Sequence, residues 1–62
     1  MSWEEALQAM RDGKKVVHRH FCTGEWFEMK GGRIYCEGGY PMDKWFQNKD
    51  WQLTGWSIAV GR

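Results

Sequence analysis

Five tryptophans in a chain of only 62 residues constrain its fold more than any other feature. A chain this short buries a modest share of its unfolded surface, so its stability is marginal unless something supplements an ordinary aliphatic core. Each indole removes on the order of 200 Å² from water, so a few rings can stand in for many aliphatic side chains. The surplus also predicts self-association as a dimer or tetramer, because rings beyond the capacity of one small core need cover from a second copy. The length accommodates a single domain over residues 1–62.

The amino-terminal segment reads as a helix. Ser2 and Glu5 have the spacing of a capping box, in which each side chain satisfies the other's backbone N–H. Trp3, Ala6, Leu7 and Met10 then recur at helical spacing as one apolar stripe, while Glu4, Gln8 and Arg11 take the other faces. Gly13 stands where a left-handed cap belongs, and Arg11, Lys14 and Lys15 complement the negative end of the dipole. The helix is expected over Trp3 to Asp12.

The rest reads as strands. Val16 to Phe21 is expected to leave the helix as a strand, with a turn at Thr23-Gly24. Trp26 to Lys30 and Arg33 to Glu37 flank Gly31-Gly32, a two-residue hairpin signal. In that register Met29 faces Ile34 and Phe27 faces Cys36 on an apolar side, and Trp26, Glu28 and Lys30 oppose Glu37, Tyr35 and Arg33 on a mixed one. Gly38-Gly39 and Pro41 break the sheet, and Met42 to Trp51 reads as a loop with a short helical turn. Trp56, Ile58 and Val60 alternate with Ser57 and Ala59, so a last strand is expected with Val60 on the core side. The class is α+β: one amphipathic helix packed on a small, mostly antiparallel sheet of about four strands.

The formal charge is +1, with acids and bases interspersed. No basic block marks a nucleic-acid polymer as partner, and no apolar run is long enough for a membrane span or an export signal. Two cysteines, Cys22 and Cys36, are too few for a disulfide scaffold and read as reduced thiols of a cytoplasmic protein.

His18, His20 and Cys22 alternate, and on one strand face they would offer zinc-ligand chemistry. Same-face neighbours stand roughly 7 Å apart along a strand, so joint chelation needs a distorted strand, and a polar face with a small thiol is the simpler reading. A nucleophilic Cys22 or Cys36 needs a base and an orienting group. His20 could serve Cys22, but two residues along one strand is a poor approach, and a small core hydrophobe is the simpler reading. Glu25, Glu28, Glu37, Asp43 and Asp50 lie among bases as a solvated surface. Neither a catalytic set nor a cofactor is expected. Trp3, Phe27 and Trp56 are assigned to the core. Trp26, Tyr35, Tyr40, Trp45, Phe46 and Trp51 exceed what it can cover, and are free to stack on a flat base, grip a partner or close an oligomer interface. Arg19, His20 and Arg33 could supply donors for phosphates.

Ser2-Trp3-Glu4-Glu5-Ala6-Leu7 followed by Gly13-Lys14-Lys15-Val16 resembles the opening of a family of small phage proteins. In that family a basic strand ending in an aromatic comes next, a part played here by Val16 to Phe21. The segment Gly24 to Gly38 looks like its central hairpin, and Asp50-Trp51-Gln52-Leu53-Thr54-Gly55-Trp56-Ser57-Ile58 resembles its ending, with Trp45 in place of an upstream tryptophan. The family is that of the phage Thoeris anti-defence proteins of the second type, which includes some type II anti-CRISPR proteins. Two departures stand out: Gly55 replaces a usual Asp, and the middle of the chain is shorter than in many members.

The resemblance implies an oligomeric sponge that binds immune signalling nucleotides, of the cyclic ADP-ribose or cyclic oligonucleotide type, between protomers and without cleavage. Carried over by position, Phe21 would stack on a base or ribose, Trp45 and Asp50 would line the same region, and Arg19 and His20 would reach phosphates. Trp26 and Asn48 complete the candidate ligand-binding set. The alternative is a protein-binding inhibitor of a bacterial defence effector, such as a CRISPR nuclease complex, using the Trp26 and Tyr35 face.

Overall fold

A computed structural model describes residues 1–60. Helix α1 spans Trp3–Arg11. The Glu5 N–H donates to Ser2 Oγ (3.1 Å) and the Ser2 N–H donates to Glu5 Oε1 (2.9 Å), closing the capping box expected from their spacing. At the other end Asp12 is the cap and Gly13 takes φ 86°. The Lys14 N–H reaches Ala9 O and the Gly13 N–H reaches Met10 O, both at 3.0 Å. This is a Schellman ending, so the helix closes one residue earlier than its apolar spacing suggests.

Four strands follow: β1 (Val16–His18), β2 (Phe27–Lys30), β3 (Arg33–Cys36) and β4 (Trp56–Ile58). They form one antiparallel sheet in the order β3-β2-β1-β4. The fold is thus α+β, one helix on a four-stranded antiparallel sheet. Gly31 and Gly32, at φ 59° and 81°, make the tight turn between β2 and β3. The register pairs Phe27 with Cys36 and Met29 with Ile34, as the hairpin signal requires. Trp26 and Glu37 fall just outside the strands.

Three expectations are corrected. Strand β1 stops at His18 rather than Phe21, because the His18 ring takes up the backbone N–H of His20 (3.1 Å) and the Phe21 N–H turns back to His18 O (2.9 Å). Strand β4 ends at Ile58. The Val60 N–H folds back on Ile58 O, which leaves Val60 87% exposed and puts Ala59 in the core instead. Finally, Trp45 and Phe46 are not surplus, since both are half-buried against the core.

That core joins Trp3, Ala6 and Met10 of α1 to Val16, Phe27 and Trp56 of the sheet. Nine helical residues cannot cover a four-stranded face alone, and the segment after β3 fills the remainder. It returns beside β3, with the Met42 N–H on Ile34 O (2.8 Å), and then lays Phe46 flat on Trp3 at 4.4 Å between centroids. A 3-10 turn at Asp50–Gln52 completes it. Among the described residues, no helix is long and apolar enough to cross a membrane.

Candidate functional site

The corner where β1 ends is organised by His18, which is 2% exposed. Its Nε2 lies 2.8 Å from both Trp51 O and Thr54 O, and its Nδ1 lies 3.1 Å from the His20 backbone nitrogen. Carbonyls only accept, so Nε2 carries the proton; the N–H of His20 donates, so Nδ1 is the bare acceptor. Both nitrogens of a neutral imidazole are thereby occupied, and the ring ties the β1 corner to the 3-10 turn. A second tie is Gln52, also 2% exposed. Its Oε1 accepts from the Gln47 and Lys49 N–H groups (2.9 and 3.1 Å), and its Nε2 donates to Trp45 O (2.9 Å). The Trp56 indole N–H then donates to Gln52 O at 2.7 Å.

These ties hold a continuous set of rings. Phe21, half-buried, meets Phe27, Trp45 and Trp56. Trp45 meets Trp51 edge-on at 5.7 Å. Trp51 in turn stands edge-on to His18 (5.5 Å) and to the exposed His20 (5.9 Å) while remaining 44% exposed itself. Edge-to-face arrays of this kind suit the quadrupoles of the rings. The side chain of Arg19 crosses Gly55 at the same corner: a Cβ on Gly55 would stand 3.1 Å from Arg19 Cδ and Nε and from His18 Nε2.

Of the residues expected to bind ligand, the structure brings Arg19, His20, Phe21 and Trp45 to this one corner. Phe21 and Trp45 lie mainly inside it, and Arg19 and His20 lie outside. Asp50 opens the neighbouring 3-10 turn, and Asn48, at φ 58°, shapes the bend before it; both are exposed. Trp26 joins none of these ring contacts and packs instead under the Lys15 ammonium, 4.5 Å from the ring centre. Trp51, counted in the sequence among the surplus rings but not in the ligand-binding set, also stands at this corner. The loop that carries it is held by His18 and Gln52, whose roles have no local signature.

The zinc reading of His18, His20 and Cys22 fails on geometry. The strand ends before His20, and both His18 nitrogens are engaged. Among the described residues no three His, Cys, Asp or Glu side chains converge as a metal site requires. Cys22 is exposed, and its backbone N–H donates to Glu25 Oε1 (2.8 Å). Hydrogen bonding to Glu25 and the negative charge of that carboxylate raise the Cys22 thiol above its ordinary pKa, so it stays protonated and weakly nucleophilic.

Two open clefts flank the core. One of about 200 Å³ is lined by Val17, His18, Phe21, Cys22, Thr23 and Glu25, on the inner side of the corner. The larger, about 370 Å³, lies between α1 and the β2–β3 hairpin. No family model matches the chain, and no curated protein and no solved structure matches it either.

Proposed function

We propose that this chain captures a signalling nucleotide, of the cyclic ADP-ribose or cyclic oligonucleotide type, and holds it without cleaving it. The observation that carries the reading is Trp51, an indole left 44% exposed and braced edge-on by His20 and Trp45 at the corner that Arg19 crosses. Stacking of a base on an open aromatic face is worth about 1–3 kcal/mol. Arg19 and His20 supply guanidinium and imidazole donors of the kind that bind phosphate. The nearby Cys22 thiol, kept protonated by Glu25, suits capture rather than covalent chemistry.

The corner is open rather than enclosed, which favours a site completed by a second protomer in a dimer or tetramer. The resemblance of the chain's start and end to the Thoeris anti-defence proteins extends the reading to phage counter-defence in the bacterial cytoplasm. Native mass spectrometry tests it on protein expressed beside an activated TIR or cyclic-nucleotide defence system. An oligomer carrying retained nucleotide mass, released unchanged on denaturation and lost in Trp51→Ala, is the expected result. A bare protein that also shows no thermal shift with any cyclic or ADP-ribosyl nucleotide would remove the reading.

A second reading rests on the sheet face opposite α1, where Tyr35 pairs with Glu28 and Trp26 lies half-buried under Lys15. That face suits inhibition of a defence effector by direct protein binding. Co-purification of a host protein, abolished by Trp26→Ala, would favour it.

A further inference from the structure

The cleft between α1 and the β2–β3 hairpin takes no part in the corner described above. Its floor is apolar, formed by Leu7, Met29, Ile34, Met42 and Phe46, with Trp3 behind. At about 370 Å³ it falls in the range of small-molecule sites, which begins at about 300 Å³. The 200 Å³ cleft beside Cys22 falls short of that range. Two methionines in the floor add adaptable, polarisable surface that suits the face or edge of a ring.

The rim determines the charge of the occupant. Arg11 and Arg33 both line the cleft, as does Asp43. Arg33 is committed to Asp43 through a two-pronged guanidinium–carboxylate pair. That pair neutralises one cation, whereas Arg11 forms no ion pair among the described residues. One positive charge therefore remains beside an apolar floor.

We propose that this cleft binds a small amphipathic molecule with a single negative charge, an aromatic or branched aliphatic carboxylate, with its apolar body against Met29 and Met42 and its anion at Arg11. The site stands apart from the nucleotide corner, and neither depends on the other.

Anilinonaphthalene sulfonate, an aromatic monoanion, is a direct probe of that chemistry. The chain has four methionines, Met1, Met10, Met29 and Met42, so methyl-labelled methionine gives a resolved reporter at each. Titrating the full chain should shift the Met29 and Met42 methyls along one saturable curve and leave Met1 in place. Arg11 is exposed, so Arg11→Glu keeps the fold, verified by circular dichroism, and should weaken binding roughly tenfold. Arg11→Gln should fall between it and the wild type. Neutral phenylnaphthylamine should bind more weakly and be insensitive to Arg11→Glu. Absence of saturable shifts at Met29 and Met42, shifts centred on Met1, or equal affinity in folded Arg11→Glu would each overturn the proposal.

Discussion

The imidazole Nε2 of His18 stands 2.8 Å from the carbonyl oxygen of Trp51, a contact that bridges a separation of 33 residues in the chain. It gives a strand that ends early a fixed partner in the loop that carries the Trp51 indole. Three backbone groups depend on this one ring: the carbonyls of Trp51 and Thr54 and the N–H of His20.

Replacing His18 should therefore cost more than its size implies. His18→Ala leaves those groups without partners in a site that is 2% exposed, for a loss of about 2–4 kcal/mol. His18→Phe, which keeps the volume, should recover little of it. Urea denaturation measures the loss. Hydrogen exchange should show the 3-10 turn at Asp50–Gln52 opening before the β2–β3 hairpin does.

The parallel stack of Trp3 on Phe46, with ring planes 6° apart, makes a second prediction. Phe46 is half-buried, so Phe46→Ala should cost about 2–3 kcal/mol, below the 3–5 typical of a fully buried ring. In a 62-residue chain that is a large share of the whole stability. Thermal melting reports the loss, and near-ultraviolet dichroism should show the Trp3 environment change. Phe46→Leu should lie between the two.

What could be read from the sequence was local. The Ser2 and Glu5 box, the glycine after the helix and the Gly31-Gly32 turn each act within a few residues, so spacing alone reveals them. His18 and Gln52 act through carbonyls and N–H groups supplied by distant or irregular chain, and the alternation of His18, His20 and Cys22 mimics a strand that never extends that far. Trp45 and Phe46 carry no periodicity because a loop delivers them, and only the size of the uncovered sheet face calls for two more rings. The candidate site was accordingly half legible: Arg19, His20, Phe21 and Trp45 converge, whereas Trp51 stood out only as a surplus ring and its place beside His20 and Trp45 had to be seen.

Acid sensitivity follows from two carboxylates. Hydrogen bonding from the Ser2 backbone and hydroxyl holds Glu5 below its ordinary value of 4.5, and hydrogen bonding from Arg33 holds Asp43 below 3.8. As pH falls, the unfolded chain takes up these protons first, so each group's contribution is complete above its ordinary value and is lost as pH drops through the lowered one. The double variant Glu5→Gln/Asp43→Asn should be less stable than wild type at neutral pH. The gap should narrow steadily below about pH 4.5. Denaturant midpoints for both proteins across that range provide the check, and a gap independent of pH would contradict the assignment.

Gly55 adopts φ 88°, a left-handed conformation that any side chain strains. A Cβ there would also meet Arg19 Cδ and Nε and His18 Nε2 at 3.1 Å. The two neighbours differ in their freedom to yield. Arg19 is exposed and can swing away, whereas His18 is pinned by its two carbonyl partners. Gly55→Ala should therefore cost about 1–2 kcal/mol from backbone strain, with the crowding at His18 in addition. Gly55→Asp would place a carboxylate against Arg19. It should keep the backbone penalty and draw the guanidinium inward, away from a bound phosphate. If nucleotide capture at the corner is correct, Gly55→Asp loses ligand affinity beyond what its lower melting temperature explains, and Arg19→Gln shows the same loss without the stability change. Calorimetric titration alongside thermal melting separates the two effects. Full affinity in both variants would place the phosphate somewhere other than Arg19.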